Sequence, residues 1–296
     1  MRLGIQLPEI ERVVHWPEYR AMAELAEQVG FDSIWLGDHL LYDKPDGPQG
    51  PWECWTLLAA IAAVTERVLI GPLVSPTGFR GAALLAKMAG TVDEISNGRL
   101  ILGLGSGWNE REFSAFGFPF DRRVSRFAEE FEIITGLIRH GRVDFEGEYH
   151  SAPDAVLAPP ARADMPIMIG STGPRMLSLT AGEMDWWNEW WSRFDNDPEL
   201  LPPYIEKLDN ALRTAGRDPS EVVRSVALLV GLDGATGRLM GSKTDSPPIV
   251  GTVDQIADQL LAFSGMVDHV QIVVDPITLE SIEKLALVVE KVHRAS

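Results

Sequence analysis

A chain of 296 residues, 45% hydrophobic and 23% charged, has the size and composition of a globular protein with one large core. Its formal charge of −17 disfavours nucleic acid and anionic membrane as partners, because no basic stripe overrides the repulsion. The single cysteine, Cys54, excludes an intrachain disulfide and a thiolate-rich metal site; no apolar run is long enough for a bilayer, and "MRLGIQLPEI" carries no cleavage-type signal, so the chain is expected to be cytoplasmic.

Strands and helices alternate from the first residues. Leu3 to Leu7 reads as strand one. "WPEYRAMAELAEQVG" follows, with Tyr19, Met22, Ala23, Ala26 and Val29 on one helical face, Pro17 in the first turn and Gly30 at the stop. "FDSIWLG" is strand two and "PWECWTLLAAIAAVT" a helix rich in small residues. "VLIGPLV" is strand three, and its unbroken apolar character suits a parallel strand covered on both faces. A helix from about Gly81 to Ile95 precedes strand four, "RLILGLG". Phe127, Phe131, Ile134 and Ile138 mark helix four, and the pattern shows no convincing helix between Gly107 and about Asp121. "MPIMIG" is strand five, with a helix starting near Pro174. "MDWWN" is the candidate sixth strand, and Glu199 to about Ala215 a helix ended by Gly216. "VRSVALLVG" is strand seven, "TVDQIADQLLAF" a helix, "HVQIVV" strand eight, and Leu279 to Val292 the closing helix.

Eight strands alternating with helices imply a parallel α/β architecture, and the count favours a closed (β/α)8 TIM barrel over an open sheet. No linker or composition break interrupts residues 1–296, so one domain is expected. Leu41–Pro51, Gly107–Phe120 and Gly231–Gly251 are irregular insertions after strands two, four and seven. They therefore belong to the C-terminal face, where barrels carry their sites. "RHGRVDFEGEYHSAPDAVLAPPARAD" instead joins helix four to strand five, and a short hairpin around "FEGEYH" is expected at the opposite end.

Asp38 and His39 fall at the C-terminal end of strand two. An imidazole there can exchange protons near neutrality or hydrogen-bond a reacting centre; the same pair can also serve only to cap the loop. "GLGSG", Gly103 to Gly107, permits close backbone approach, but Trp108 stands where a dinucleotide fingerprint needs a glycine, so a Rossmann reading fails. "GSTGPR", Gly170 to Arg175, is the better anion site. The free amides of Thr172 and Gly173, the Ser171 and Thr172 hydroxyls and the start of a helix at Pro174 can hold a phosphate, with Arg175 adding charge. "LVSPTGFR" ends strand three with Ser75 and Thr77 at the rim. Trp186, Trp187, Trp190 and Trp191 can wall a pocket for a flat ring, or serve as core or interface. The six histidines show no metal-ligand spacing, and no G-x-S-x-G elbow occurs, because Ser106 has glycine directly on both sides. The chemistry is thus left to an organic cofactor.

These stretches together resemble the bacterial luciferase-like superfamily, and within it the branch of oxidoreductases that use the deazaflavin coenzyme F420. The resemblance runs through "GIQLP", "AELAEQVGFDSIWLGDH", "IAAVTERVLIGPLVSPTGFR", "MPIMIGSTGPRMLSLTAG" and "GTVDQIADQLLAF" in order. Its most specific run is "VDEISNGRLILGLGSGW". The resemblance implies a flavin-like ring in the barrel mouth, with His39 near the reactive ring carbon and Asp38 orienting or tuning it. It implies a non-prolyl cis peptide around Val74 and Ser75 beneath the ring, close approach of Gly105, Gly107 and Trp108, and a phosphate loop at Gly170, Ser171, Thr172, Gly173, Pro174 and Arg175. A homodimer is also implied. Two departures stand out: "FRGAALLAK" lacks the proline that many relatives carry there, and "WWNEWW" is heavier in tryptophan than usual.

The leading expectation is an oxidoreductase that exchanges hydride between coenzyme F420 and a small organic substrate. One rival keeps the fold but uses reduced FMN and oxygen, as a two-component monooxygenase fed by a separate reductase. The other is a non-catalytic flavin- or deazaflavin-binding protein. The sequence names no substrate.

Overall fold

The computed structural model describes residues 1–45, 47–235 and 246–295. In chain order its regular elements are β1 (Arg2–Gln6), α1 (Trp16–Gln28), β2 (Ser33–Leu36), the hairpin β3 (Tyr42–Lys44) and β4 (Gly47–Gln49), α2 (Cys54–Val64), β5 (Leu69–Pro72), β6 (Ser75–Pro76) and α3 (Ala82–Ile95). Then come β7 (Leu102–Gly105), α4 (Glu110–Phe116), α5 (Arg123–His140), the hairpin β8 (Arg142–Glu146) and β9 (Ser151–Val156), β10 (Ile167–Ile169) and α6 (Pro174–Thr180). The chain ends with β11 (Trp186–Trp190), α7 (Pro202–Thr214), β12 (Val223–Gly231), α8 (Val253–Leu261), β13 (His269–Asp275) and α9 (Leu279–Ala295).

The main sheet is parallel and runs β5-β2-β1-β13-β12-β11-β10-β7-β6. β5 and β6 are successive segments of one stave, so the sheet has eight staves. It closes where Ile70 N–H donates to the Arg99 carbonyl at 3.0 Å and Ile101 N–H donates to the Ile70 carbonyl at 2.9 Å. The (β/α)8 barrel inferred from the alternation is therefore the fold. "MDWWN" supplies the sixth stave, shifted to Trp186–Trp190, and the helix placed from Glu199 begins at Pro202 after a short 3-10 turn.

Period-two alternation sorts each stave into two faces. Trp35, Leu73, Ile101, Met168, Trp186, Leu229 and Val273 fill the barrel. Their neighbours Ile34, Leu36, Ile70, Leu102, Ile167, Val226, Leu228 and Ile272 pack outward against the helices. Both faces are buried, which is why the strands read as unbroken apolar runs. Several polar groups inside bond to one another, while His269 Nδ1 and Gln271 Nε2 are buried with no partner among the described residues. Trp35 Nε1 donates to Ser33 Oγ at 2.6 Å, Ser33 Oγ meets His269 Nε2 at 2.8 Å, and Asn188 Nδ2 donates to Gln271 Oε1 at 2.8 Å. Burial, with the nearby Arg2 charge second, pulls the His269 pKa down to about 3, so this imidazole stays neutral and structural.

Two local features differ from the pattern-based reading. α4 occupies a stretch read as irregular; its seven residues, "EREFSAF", are too few and too polar to show a helical period. The β8–β9 hairpin exists, but its tip folds back along α5 and does not stay at the far end. Glu129 accepts the N–H groups of Glu148, Tyr149 and His150 at 2.8, 2.8 and 2.9 Å, and neighbouring Glu130 accepts the Thr77 hydroxyl just beyond β6.

At the opposite end Arg99 ties three segments together. Its Nε donates to Ser96 O at 2.6 Å, Nη1 to Val68 O at 2.6 Å and Thr65 Oγ1 at 3.0 Å, and Nη2 to Ala62 O at 3.0 Å and Thr65 O at 2.7 Å. Replacing it by methionine strands buried carbonyls, each costing about 1–3 kcal/mol when left unpaired and not additively. The Arg99→Met variant should lose about 3 kcal/mol or more in denaturant unfolding while its mouth geometry persists. A loss below about 1 kcal/mol would show that water replaces the guanidinium.

Candidate active site

The end of β2 delivers Asp38 and His39 to the C-terminal mouth, but to different partners. Asp38 is fully buried. It accepts two bonds from the Arg80 guanidinium, at 2.7 and 3.0 Å, and one from the Ser75 hydroxyl. Ser75 Oγ in turn accepts from Trp55 Nε1 at 2.9 Å. Arg80 also pairs with Glu53, whose carboxylate caps α2 by accepting from Trp55 N and Thr56 N. Burial works against the Arg80 charge, and Asp38 and Glu53 outweigh it, so its pKa lies above the ordinary arginine value. Asp38 is thereby the anchor of a buttress joining β2, α2 and the end of β6.

His39 is held instead by Glu112. Its Nδ1 lies 2.9 Å from Glu112 Oε1, and Glu112 Oε2 accepts the Leu40 N–H at 2.8 Å. Glu112 is fully buried on α4, and the same insertion sends Asn109 Nδ2 to the Leu41 carbonyl at 2.8 Å. The carboxylate that orients His39 is thus Glu112, with Arg80 and Ser75 bonded to the Asp38 oxygens, while Asp38 acts on His39 through its charge. Sequence reasoning missed Glu112 along with α4; the one available signal was an acid following the glycine-rich turn after strand four.

Nδ1 is committed to Glu112, and Nε2 makes no hydrogen bond among the described residues. Two aromatic rings flank the imidazole: Tyr42 at 4.8 Å between centroids and Trp108 at 5.6 Å, edge-on. Tyr42 is buried and donates its hydroxyl to Glu9 Oε1 at 2.6 Å, whereas Trp108 remains 48% exposed. Burial lowers the His39 pKa, but the Glu112 hydrogen bond and the charges of Glu9, Glu112 and Asp38 together exceed it. The net displacement is upward.

The Leu73–Val74 peptide is cis, and the Val74 side chain crosses the mouth toward β7 and β10. A Cβ at Gly105 or Gly170 would stand 2.9 Å from Val74 Cγ2, so both positions must lack a side chain while Val74 keeps its place. Gly107 adopts φ 74°, and a Cβ there would strike Phe113 at 2.6 Å. Beyond β10, Trp187 Nε1 holds the Ser171 carbonyl at 3.0 Å. Gly173 N–H donates to Ser171 Oγ at 3.3 Å, Thr172 N–H has no partner among the described residues, and Pro174 opens α6. Arg175 donates to Ser125 Oγ at 2.8 Å from an exposed position. The structure thus brings His39, Val74, Ser75, Gly105, Trp108 and the Gly170–Arg175 loop to one end of the barrel. The tryptophans divide: Trp186 lies in the barrel, Trp187 faces outward, and Trp190 packs against Trp191 with centroids 4.0 Å apart and planes tilted by 34°. Part of the third mouth insertion, residues 236–245, lies outside the described residues.

Among the described residues, no group of three or more His, Cys, Asp or Glu side chains could hold a metal ion, and no helix is long and apolar enough to cross a membrane. Fold and mouth together define a (β/α)8 barrel that presents its polar residues at the strand C-termini. The family model described as "Luciferase-like monooxygenase" matches residues 4–234. The chain belongs to this family. It is 32% identical over 222 residues to 5,10-methylenetetrahydromethanopterin reductase of Methanolobus tindarius, covering 75% of this chain and 63% of that protein. It is 33% identical over 226 residues to pyrimidine monooxygenase RutA of Methylorubrum extorquens, covering 70% and 58%. It is 37% identical over 154 residues to F420-dependent glucose-6-phosphate dehydrogenase of Amycolatopsis mediterranei, covering 50% and 46%. The matched part is therefore less than two thirds of each of these relatives. A solved F420-dependent secondary alcohol dehydrogenase superposes with a TM-score of 0.81 over 98% of both chains at 19% identity, which marks a shared fold.

The Glu112 contact sets a sign for pH dependence. A histidine with a raised folded pKa adds stability that is complete below its unfolded value of about 6.5 and lost as pH rises through the folded value. The Glu112→Gln variant should lower the His39 pKa in an NMR titration and remove that window of extra stability, worth about 1.5–3 kcal/mol for a charged hydrogen bond. An unchanged His39 titration would mean that Glu9 and Asp38 set the charge.

Proposed function

We propose that this protein is an oxidoreductase that binds coenzyme F420 in the barrel mouth and exchanges hydride with a small organic substrate, with His39 managing the accompanying proton. The observation that carries this reading is an imidazole with Nδ1 fixed by a buried carboxylate and Nε2 unengaged, at the same barrel end as a glycine-flanked Val74 and a hydroxyl-bearing loop. The relatives that reduce or dehydrogenate with coenzyme F420 support it.

The residues present fit a flat ring with a phosphate-bearing tail. Gly105 and Gly170 leave Val74 as the surface on which a ring can rest. Ser171 and Thr172 hydroxyls, the Thr172 amide and Arg175 form a donor set for phosphate. When bound, the deazaflavin supplies a carbon that accepts or releases hydride. The chain's own part is the proton: His39 Nε2 holds or donates it at the substrate oxygen, and Glu112 keeps the ring in one orientation and favours the charged form. Trp108 and Tyr42 limit water around the imidazole. The FMN-dependent monooxygenase reading keeps one specific support, the similarity to pyrimidine monooxygenase RutA, and the donor set of the loop suits the phosphate of either cofactor.

Equilibrium titration with coenzyme F420 and with FMN separates the two; tighter binding of FMN would favour the monooxygenase. The His39→Ala variant should lose about a hundredfold or more in turnover with cofactor affinity nearly intact; near wild-type turnover in the folded variant would reduce His39 to a loop cap. Gly173→Val tests the loop. Its φ of −62° and ψ of 130° suit valine, and a Cβ would lie 3.7 Å from Ser171 Oγ, so the fold is kept while a ligand's approach is blocked. Unaltered cofactor affinity in that variant would remove the phosphate assignment.

A further inference from the structure

β11 holds the Gly170–Arg175 loop by two outward-facing residues. Trp187 does so through the Ser171 carbonyl, and Glu189 faces the Thr172 hydroxyl. Glu189 is 4% exposed. One oxygen accepts the Trp190 N–H at 2.9 Å, and the other, Oε2, is buried with no partner at full hydrogen-bond geometry. A buried carboxylate with an unpartnered oxygen is costly, and a neutral carboxyl is not, since it carries its own donor. The charged groups facing it are Arg193, in the turn after β11, and Lys207 on α7. Both favour the anion, as do the Trp190 amide and Thr172, yet burial outweighs all of them and the pKa stands above the ordinary carboxylate value.

Resting on the cofactor reading above, we propose that Glu189 is a protonated positioning residue that sets the direction of the Thr172 hydroxyl and so makes phosphate binding at this loop proton-linked. A hydroxyl has one proton to give. When Glu189 is neutral, its O–H donates to Thr172 Oγ1, and the Thr172 proton is free for a phosphate oxygen. When Glu189 is ionised, it takes the Thr172 proton as acceptor, and the hydroxyl turns lone pairs toward the ligand beside a new negative charge. An anion at the loop and a proton on Glu189 therefore stabilise each other, and reciprocity requires that binding take up a proton where Glu189 is partly ionised.

Affinity for coenzyme F420 would be measured by fluorescence titration from about pH 4.5 to about pH 9 for wild type, Glu189→Gln and Thr172→Val. Titration of the ligand and of His39 is common to all three and cancels in ratios. Relative to Glu189→Gln, wild-type affinity should fall about tenfold as pH rises through the range in which Glu189 ionises, above the ordinary carboxylate value. Thr172→Val, which leaves Glu189 and its charge in place, should bind more weakly at the acid end and show a pH profile flatter than wild type but steeper than Glu189→Gln, so the proposal stays testable if Glu189→Gln fails to fold. Calorimetry in buffers of different ionisation enthalpy should show proton uptake in wild type that Glu189→Gln lacks. Equal pH slopes in all three proteins would overturn the role of Glu189 and leave the cofactor reading standing. Failure of wild type to bind either F420 or FMN at any pH would remove both.

Discussion

The mouth of this barrel depends on one buried carboxylate shared between two insertions. Glu112 accepts from the His39 imidazole and from the Leu40 amide, and it stands on a helix that Asn109 ties to the Leu41 carbonyl. A fully buried carboxylate needs donors on both oxygens, and among the described residues the loop after β2 supplies them. That demand fixes α4 over the end of β2 and fixes which imidazole nitrogen faces the mouth.

The acids around the mouth are separated by partner. Asp38 is spent on Arg80 and Ser75, Glu9 meets Tyr42 and Gln6, Glu112 meets His39, and Glu130 meets Thr77. The guanidinium between Asp38 and Glu53 makes their neighbourhood a buttress, with Trp55 and Ser75 closing it. Among the described residues, Glu189 is a buried acid with one oxygen lacking a partner at full hydrogen-bond geometry, and it lies behind the Gly170–Arg175 loop. Adjacent residues in the chain, Asp38 and His39, thus serve different ends: one stiffens the scaffold, the other presents a titrating nitrogen.

How much of this was legible in the sequence follows from the range of the interactions. The staves were legible because both their faces are buried, which turns each into an apolar run; "VALLVG" and "HVQIVV" could hardly be anything else. α5 was legible from Phe127, Phe131, Ile134 and Ile138, all buried on one side. His39 stood out because a polar pair ends an apolar strand. Glu112 did not, since its role depends on a contact spanning 73 positions and on a helix too short for periodicity. Asp38 was legible only in part: its charge does act on His39, but its hydrogen-bond partner, Arg80, is 42 positions away. Glu189 is hidden inside a tryptophan cluster, and strand alternation gives only its outward face; its nearness to Thr172 depends on a contact spanning 17 positions.

The tether between Arg175 and Ser125 has a kinetic side. It pins one cation beside a loop on a molecule whose formal charge is −17. An approaching anion therefore meets repulsion at long range and attraction only in the last stretch. Dissolved salt shortens the reach of exposed charges, to about 10 Å at 0.1 M. It weakens the distant repulsion before it weakens a contact made at a few ångströms. Association of an anionic ligand with this barrel should accordingly quicken as ionic strength rises from very low values, the reverse of the salt dependence seen when a basic protein captures an anion.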